Sequence, residues 1–203
     1  MLGNPFEPRG GQLDPAMFLS STYYVSREQV RTPHALHVAR AAEMLGHNVK
    51  GVRGAVAVRY GRAFLCTTDG PLSAMTNHDI CEVTEYDPVR KVVMVIGTVQ
   101  PTRYSPLVWT LLRTEPVMNS VAVLHPVPQT LAPKEQAEVM ETRLLPSSFE
   151  EAMEVAKVMK GKDHLYVSNK ALIFRARDVE TLIKNVTARI TKVEGTGEGD
   201  VSR

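Results

Sequence analysis

The residues best equipped for chemistry lie between Pro101 and Pro126, in PTRYSPLVWTLLRTEPVMNSVAVLHP. A polar cluster, Thr102-Arg103-Tyr104, precedes a Pro-started helix, and His125 ends the apolar strand that follows. A hydroxyl, a guanidinium, a phenol and an imidazole are groups that bind anions or move protons. A helix followed by a returning strand can bring the two ends of such a stretch together at one end of a sheet. Other ionisable patterns are weaker. His34 and His37 lie at i, i+3 and share a helix face, but no third ligand accompanies them. His78 and His164 carry no pattern. Cys66 and Cys81 have no metal-type spacing and sit in apolar, strand-like contexts, which points to buried inert thiols.

The bulk composition narrows the classes of function. At 203 residues the chain suits one domain with short extensions. Its 24 basic and 22 acidic residues nearly cancel, so nothing calls for nucleic acid or an anionic membrane as partner. The N-terminal MLGNPFEPRGGQLDP lacks the apolar core of a signal peptide. No apolar run reaches the ~20 residues of a membrane helix. The expected location is the cytoplasm.

The elements that position the polar cluster follow from capping and periodicity. Residues 1–31 lack a helical period and are rich in Pro and Gly, giving an extended arm whose sticky portion is MFLSSTYYV. Thr32 as N-cap, Pro33 at the first helical position and Gly46 as stop predict a helix over 33–45. Alternating Val56 and Val58, a Tyr60-Gly61-Arg62 turn and Phe64 to Thr67 predict a hairpin. Thr68-Asp69-Gly70-Pro71 is a loop, residues 76–80 a helical turn, and residues 81–86 and 91–98 two further strands. Ser105-Pro106 then opens a helix to 113, before a strand over 120–124. Residues 134–141 read as a short helix or an excursion. Ser148-x-x-Glu151 opens a helix to about Lys160, and strands follow at 164–168 and 171–175. Asp178 caps a long last helix with a stripe of Val179, Leu182, Ile183, Val186, Ile190 and Val193. The tally is about four helices and seven or eight strands. It predicts a layered α/β protein with a mostly antiparallel central sheet.

This order of signals resembles the class II aldolase/adducin family. The likeness is carried by the first helix, by GAVAVRYGRAFLCTTDGPLSAMTNHDICEV, by the strand with Gly97, by the Pro-led polar cluster and by PVMNSVAVLHP. It runs from about Pro33 to Glu194 and is strongest between Gly54 and His125. The family includes fuculose-phosphate aldolase, ribulose-phosphate epimerase, methylthioribulose-phosphate dehydratase and the head domain of adducin. The resemblance implies an α/β/α layered domain over 32–195, with the arm before it and a disordered tail at 196–203. It also implies a homo-oligomer, commonly a tetramer with the site at a subunit junction.

Position by position, the resemblance implies a site that has lost most of its zinc chemistry. The family's Pro-Ser-Ser-Glu segment reads Pro101-Thr102-Arg103-Tyr104, so Tyr104 stands in place of the acid/base glutamate. Of the two zinc histidines in His-x-His, Val123-Leu124-His125 retains only the second. At the third, Lys170-Ala171 stands in place of a histidine and glycine. Gly54 is followed by Ala55 instead of the usual asparagine, and Thr68-Asp69 replaces Thr-Gly in the phosphate-cradling turn. A catalytic zinc needs about three protein ligands, so one histidine beside a valine and a lysine cannot hold it. No cofactor is expected, with zinc held by other ligands as the alternative.

Two classes of function follow. In the first, the chain is a family relative without zinc-dependent aldolase activity that binds a small anionic or phosphorylated ligand or acts in assembly. Lys170 and Arg103 would attract the anion, with Gly54, Thr68, Asp69 and Thr102 around it; alternatively both cations pair with local acids such as Asp69 and hold the pocket shut. In the second, it is a metal-independent carbon–carbon lyase or isomerase on a sugar phosphate or acidic carbonyl compound. Its catalytic residues are then Lys170 as Schiff-base amine, Tyr104 as proton donor and His125.

Overall fold

The computed structural model describes residues 20–49, 51–125, 139–142, 148–167 and 171–194. Among these, ten strands form one sheet: β1 (Ser21–Ser26), β2 (Arg53–Tyr60), β3 (Ala63–Thr67), β4 (Gly70–Pro71), β5 (Ile80–Asp87), β6 (Val92–Ile96), β7 (Ser120–His125), β8 (Val139–Met140), β9 (His164–Val167) and β10 (Ala171–Ala176). The helices are α1 (Pro33–Asn48), α2 (Ser105–Thr114), α3 (Phe149–Val158) and α4 (Val179–Glu194). Across the sheet the strands run β1-β6-β5-β3-β2-β7-β10-β9-β8, with β4 paired separately to β2. The β1–β6 and β8–β9 pairs are parallel, and all other described pairs are antiparallel.

The central strands are apolar on both faces because both are covered. Along β7, Val121 and Val123 face the layer formed by α2 and α3, while Ala122 and Leu124 face the layer formed by α1 and α4. Such near-continuous apolar runs are the pattern of a doubly covered sheet. The result is the α/β/α sandwich with a mostly antiparallel sheet that the sequence predicts.

Local signals explain most boundaries. Thr32 caps α1 by accepting from the His34 amide, Ser148 caps α3 by accepting from the Glu151 amide, and Asp178 accepts from the Thr181 amide at 2.7 Å at the start of α4. Gly70–Pro71, read as part of a loop, pair with β2 as β4, and three further places differ from the sequence reading. First, α1 continues through Gly46 to Asn48, because Gly46 packs where an added Cβ would lie 2.0 Å from the Ser73 amide nitrogen. Second, the α2 N-cap is Tyr104, not Ser105; the Ser105 hydroxyl instead turns back to donate to the Thr102 carbonyl at 2.7 Å. Third, part of the N-terminal arm is regular: Ser21–Ser26 add to the sheet as an edge strand beside β6. In the stretch read as a short helix or excursion, Val139–Met140 form β8, and residues 134–138 lie outside the described residues, as does the expected tail.

Candidate functional site

Four backbone segments meet at one end of the sheet. They are the turn after β3 that holds Thr68 and Asp69, the start of β2 at Gly54, the turn entering α2 at Thr102–Tyr104, and the end of β7 at His125. Gly54 lies opposite both Gly70 of β4 and Leu124 of β7. Its φ of +153° suits glycine, and a Cβ there would stand 2.0 Å from the Val123 carbonyl oxygen. The strands can therefore close at this point only around a residue without a side chain. The Thr68 amide donates to the Asp79 carbonyl at 2.9 Å, which fixes the turn that presents Asp69.

Asp69 is the hub. The Thr102 hydroxyl donates to its Oδ1 at 2.6 Å, and the Arg103 amide donates to its Oδ2 at 3.0 Å. The Arg103 Nε is 3.5 Å from Oδ2, and the His125 Nε2 is 3.7 Å from Oδ1, an ion-pair distance too long for a hydrogen bond. Thr102 is fully buried and also accepts from the Tyr104 amide at 3.2 Å, so its hydroxyl links Asp69 to the start of α2. A carboxylate beside a helix N-terminus is favourable in its own right. Burial alone would raise the Asp69 carboxyl; His125, the Thr102 hydroxyl and the Arg103 amide outweigh it and hold the carboxyl below its usual value.

Tyr104 and His125 complete the cluster. Their ring centroids are 5.6 Å apart, and the Arg103 guanidinium lies 5.6 Å from the Tyr104 ring. Tyr104 is buried in the core shared with α2 and α3. Burial pushes its phenol up, Arg103 opposes that shift, and Asp69 and Glu151 add to it. It is therefore a protonated phenol at neutral pH. The buried His125 Nε2 has no hydrogen-bond partner. Arg53, which the sequence reading did not single out, stands opposite His125 across the β2–β7 pair. Its signal is detectable only once the strand register is known.

Of the sequence-predicted site residues, Gly54, Thr68, Asp69, Thr102, Arg103, Tyr104 and His125 are all at this end of the sheet. Lys170 lies outside the described residues. Among the described residues the donor set does not fit a zinc ion. At the strand end Val123 presents a buried methyl surface, leaving the His125 imidazole as the nitrogen donor. The nearest carboxylate, Asp69, is already engaged by a hydroxyl and an amide. Among the described residues, no three His, Cys, Asp or Glu side chains converge. Two surface grooves lie elsewhere: one of about 660 Å³ between α1 and α4, the other of about 630 Å³ near the α1 N-terminus. Among the described residues, no helix is long and apolar enough to cross a membrane.

Comparison with known proteins gives a consistent fold. No protein-family model and no curated protein matches the chain. Solved structures do. YgbL from Escherichia coli, provisionally assigned as an aldolase/epimerase/decarboxylase, superposes with a TM-score of 0.61 at 12% identity, covering 83% of this chain and 92% of that one. An L-fuculose 1-phosphate aldolase superposes with a TM-score of 0.60 at 13% identity, over 86% of this chain and 92% of the other. The N-terminal class II aldolase domain of a protein from Thermoplasma acidophilum gives 0.56 at 12% identity, over 83% and 96%. At such identities the likeness is one of architecture, and it extends over most of the chain. The chain has the class II aldolase fold.

Proposed function

We propose that this chain is a class II aldolase-like protein without zinc-dependent carbon–carbon cleavage, acting as a cytoplasmic homo-oligomeric assembly protein. The observation that carries this reading is the placement of the Asp69 carboxylate. It occupies the Thr102 hydroxyl and the Arg103 amide, the donors that an anionic ligand would need in this turn. The Arg103 side chain pairs with the same carboxylate, so the alternative in which local cations hold the pocket shut is favoured over capture of a small anion. In this reading an intrinsic anion replaces the extrinsic one, and the end of the sheet becomes a structural joint. By resemblance the assembly is a tetramer.

A second reading keeps the site catalytic and metal-free. It is supported by the contact of the Tyr104 ring with His125, which places a protonated phenol beside an imidazole. Its amine would be Lys170, and a borohydride-trapped adduct on Lys170 would support it.

The test compares the wild-type chain with Asp69→Gly by titration with inorganic phosphate and by solution mass. The assembly reading predicts a stable oligomer and no phosphate binding by the wild type, with binding emerging in Asp69→Gly as the donors are released. Saturable phosphate binding by the wild type would overturn the sealed-site reading. A monomeric wild type would overturn the assembly role.

A further inference from the structure

Cys66 and Cys81 are far apart in sequence order but directly opposite each other in the antiparallel β3–β5 pair. Both are fully buried, and their sulfurs are 3.6 Å apart. Directly opposed residues of an antiparallel pair have Cα atoms about 4.5–5.5 Å apart, within the range a disulfide spans. An S–S bond of about 2.05 Å requires the sulfurs to approach by only about 1.5 Å. We propose that Cys66 and Cys81 form a reversible redox site, a dithiol that a hydroperoxide closes to an intrachain disulfide. This site is independent of the function proposed above.

The geometry assigns different parts to the two sulfurs. The Cys81 thiol lies against the Cys66 sulfur and donates weakly to the Cys66 carbonyl at 3.8 Å. With the Cys81 proton directed to the Cys66 carbonyl, Cys66 is assigned as the attacking sulfur and Cys81 as the resolving one. Contact with Cys66 and burial hold the Cys81 thiol well above its usual range, as suits a resolving thiol that stays protonated. Full burial excludes a bulky disulfide reagent, and hydrogen peroxide is small enough to be the oxidant.

The chemistry balances in two steps. The Cys66 sulfur gives up its proton and attacks one peroxide oxygen; the O–O bond breaks, and the departing hydroxide leaves as water. This forms a sulfenic acid at Cys66. The Cys81 sulfur then attacks that sulfur, the S–O bond breaks, and a second water carries away the Cys81 proton. Two thiols are oxidised by two electrons, and one peroxide is reduced to two waters.

The experiment treats the full chain with hydrogen peroxide, then denatures it, alkylates free thiols and maps the peptides by mass. The expected result is a Cys66–Cys81 linkage with the loss of two hydrogens, reversed by dithiothreitol. Cys81→Ser should instead give a Cys66 sulfenic acid trapped by dimedone. Should that variant fail to fold, the wild-type map alone decides. The proposal is overturned if the treated, still-folded chain keeps two alkylatable thiols. It is equally overturned if oxidation runs to sulfinic acid or links separate chains.

Discussion

Replacing Asp69 by alanine should destabilise the protein by about 1–3 kcal/mol at neutral pH. The substitution leaves the fully buried Thr102 hydroxyl and the Arg103 amide without their acceptor. A buried donor left unsatisfied costs about 1–3 kcal/mol. The Arg103 amide is exposed and regains water, so the buried Thr102 hydroxyl sets the loss, and the 24% exposure of the Asp69 side chain keeps it from the upper end. The Arg103 side chain is 55% exposed, and an ion pair that open contributes little. The pH dependence has a definite sign. The folded-state pKa of Asp69 is lowered, so its contribution is present above the unfolded carboxyl value of about 3.9 and is lost as pH falls through the folded value. Urea unfolding of wild type, Asp69→Ala and Asp69→Asn, each at neutral pH and in the acid range, measures both effects. Asp69→Asn should flatten the part of the acid limb that belongs to this carboxyl. A loss below about 0.5 kcal/mol for Asp69→Ala, the level of an ordinary surface change, would refute the hub assignment. So would an Asp69→Asn protein with unchanged acid sensitivity.

Two further substitutions probe the frame around the site. Gly54→Ala should cost on the order of 2–4 kcal/mol or prevent folding, because its Cβ would meet the Val123 carbonyl oxygen at 2.0 Å; a thermal midpoint within a degree or two of wild type would contradict the close approach. Glu115→Ala should cost about 3–5 kcal/mol, since the Arg175 guanidinium is fully buried and pairs with Glu115 at 2.8 Å. Denaturant midpoints measure that loss, and Glu115→Gln should recover part of it by restoring an acceptor.

The fold was legible because its signals are local. Thr32-Pro33, Ser148, Asp178 and the alternation through Val56 and Val58 each name an element from a few neighbouring residues. Gly46 misled as a helix stop because its role is a tertiary contact with Ser73, which no local rule encodes. Ser105 looked like a cap, yet it is the Thr102 carbonyl that its hydroxyl serves. At the site, Thr102, Arg103, Tyr104 and His125 were identifiable by type and position. That Asp69 ties Thr102 to His125 depends on packing between segments 33 or more residues apart. The facing sulfurs of Cys66 and Cys81 depend likewise on the β3–β5 register. Arg175 falls at the end of the strand read over 171–175, and nothing in that stretch foretells its buried side chain, which donates to Glu115 and to the Lys162 carbonyl. Register and burial of this kind are fixed by the assembled sheet and are absent from any one stretch of sequence.

The most direct test of the central claim is the zinc content of the purified chain after expression with zinc supplied and dialysis against metal-free buffer. The account predicts far less than one zinc per chain, unchanged in His125→Ala. About one zinc per chain, lost in His125→Ala, would contradict it and return a metal centre to this end of the sheet.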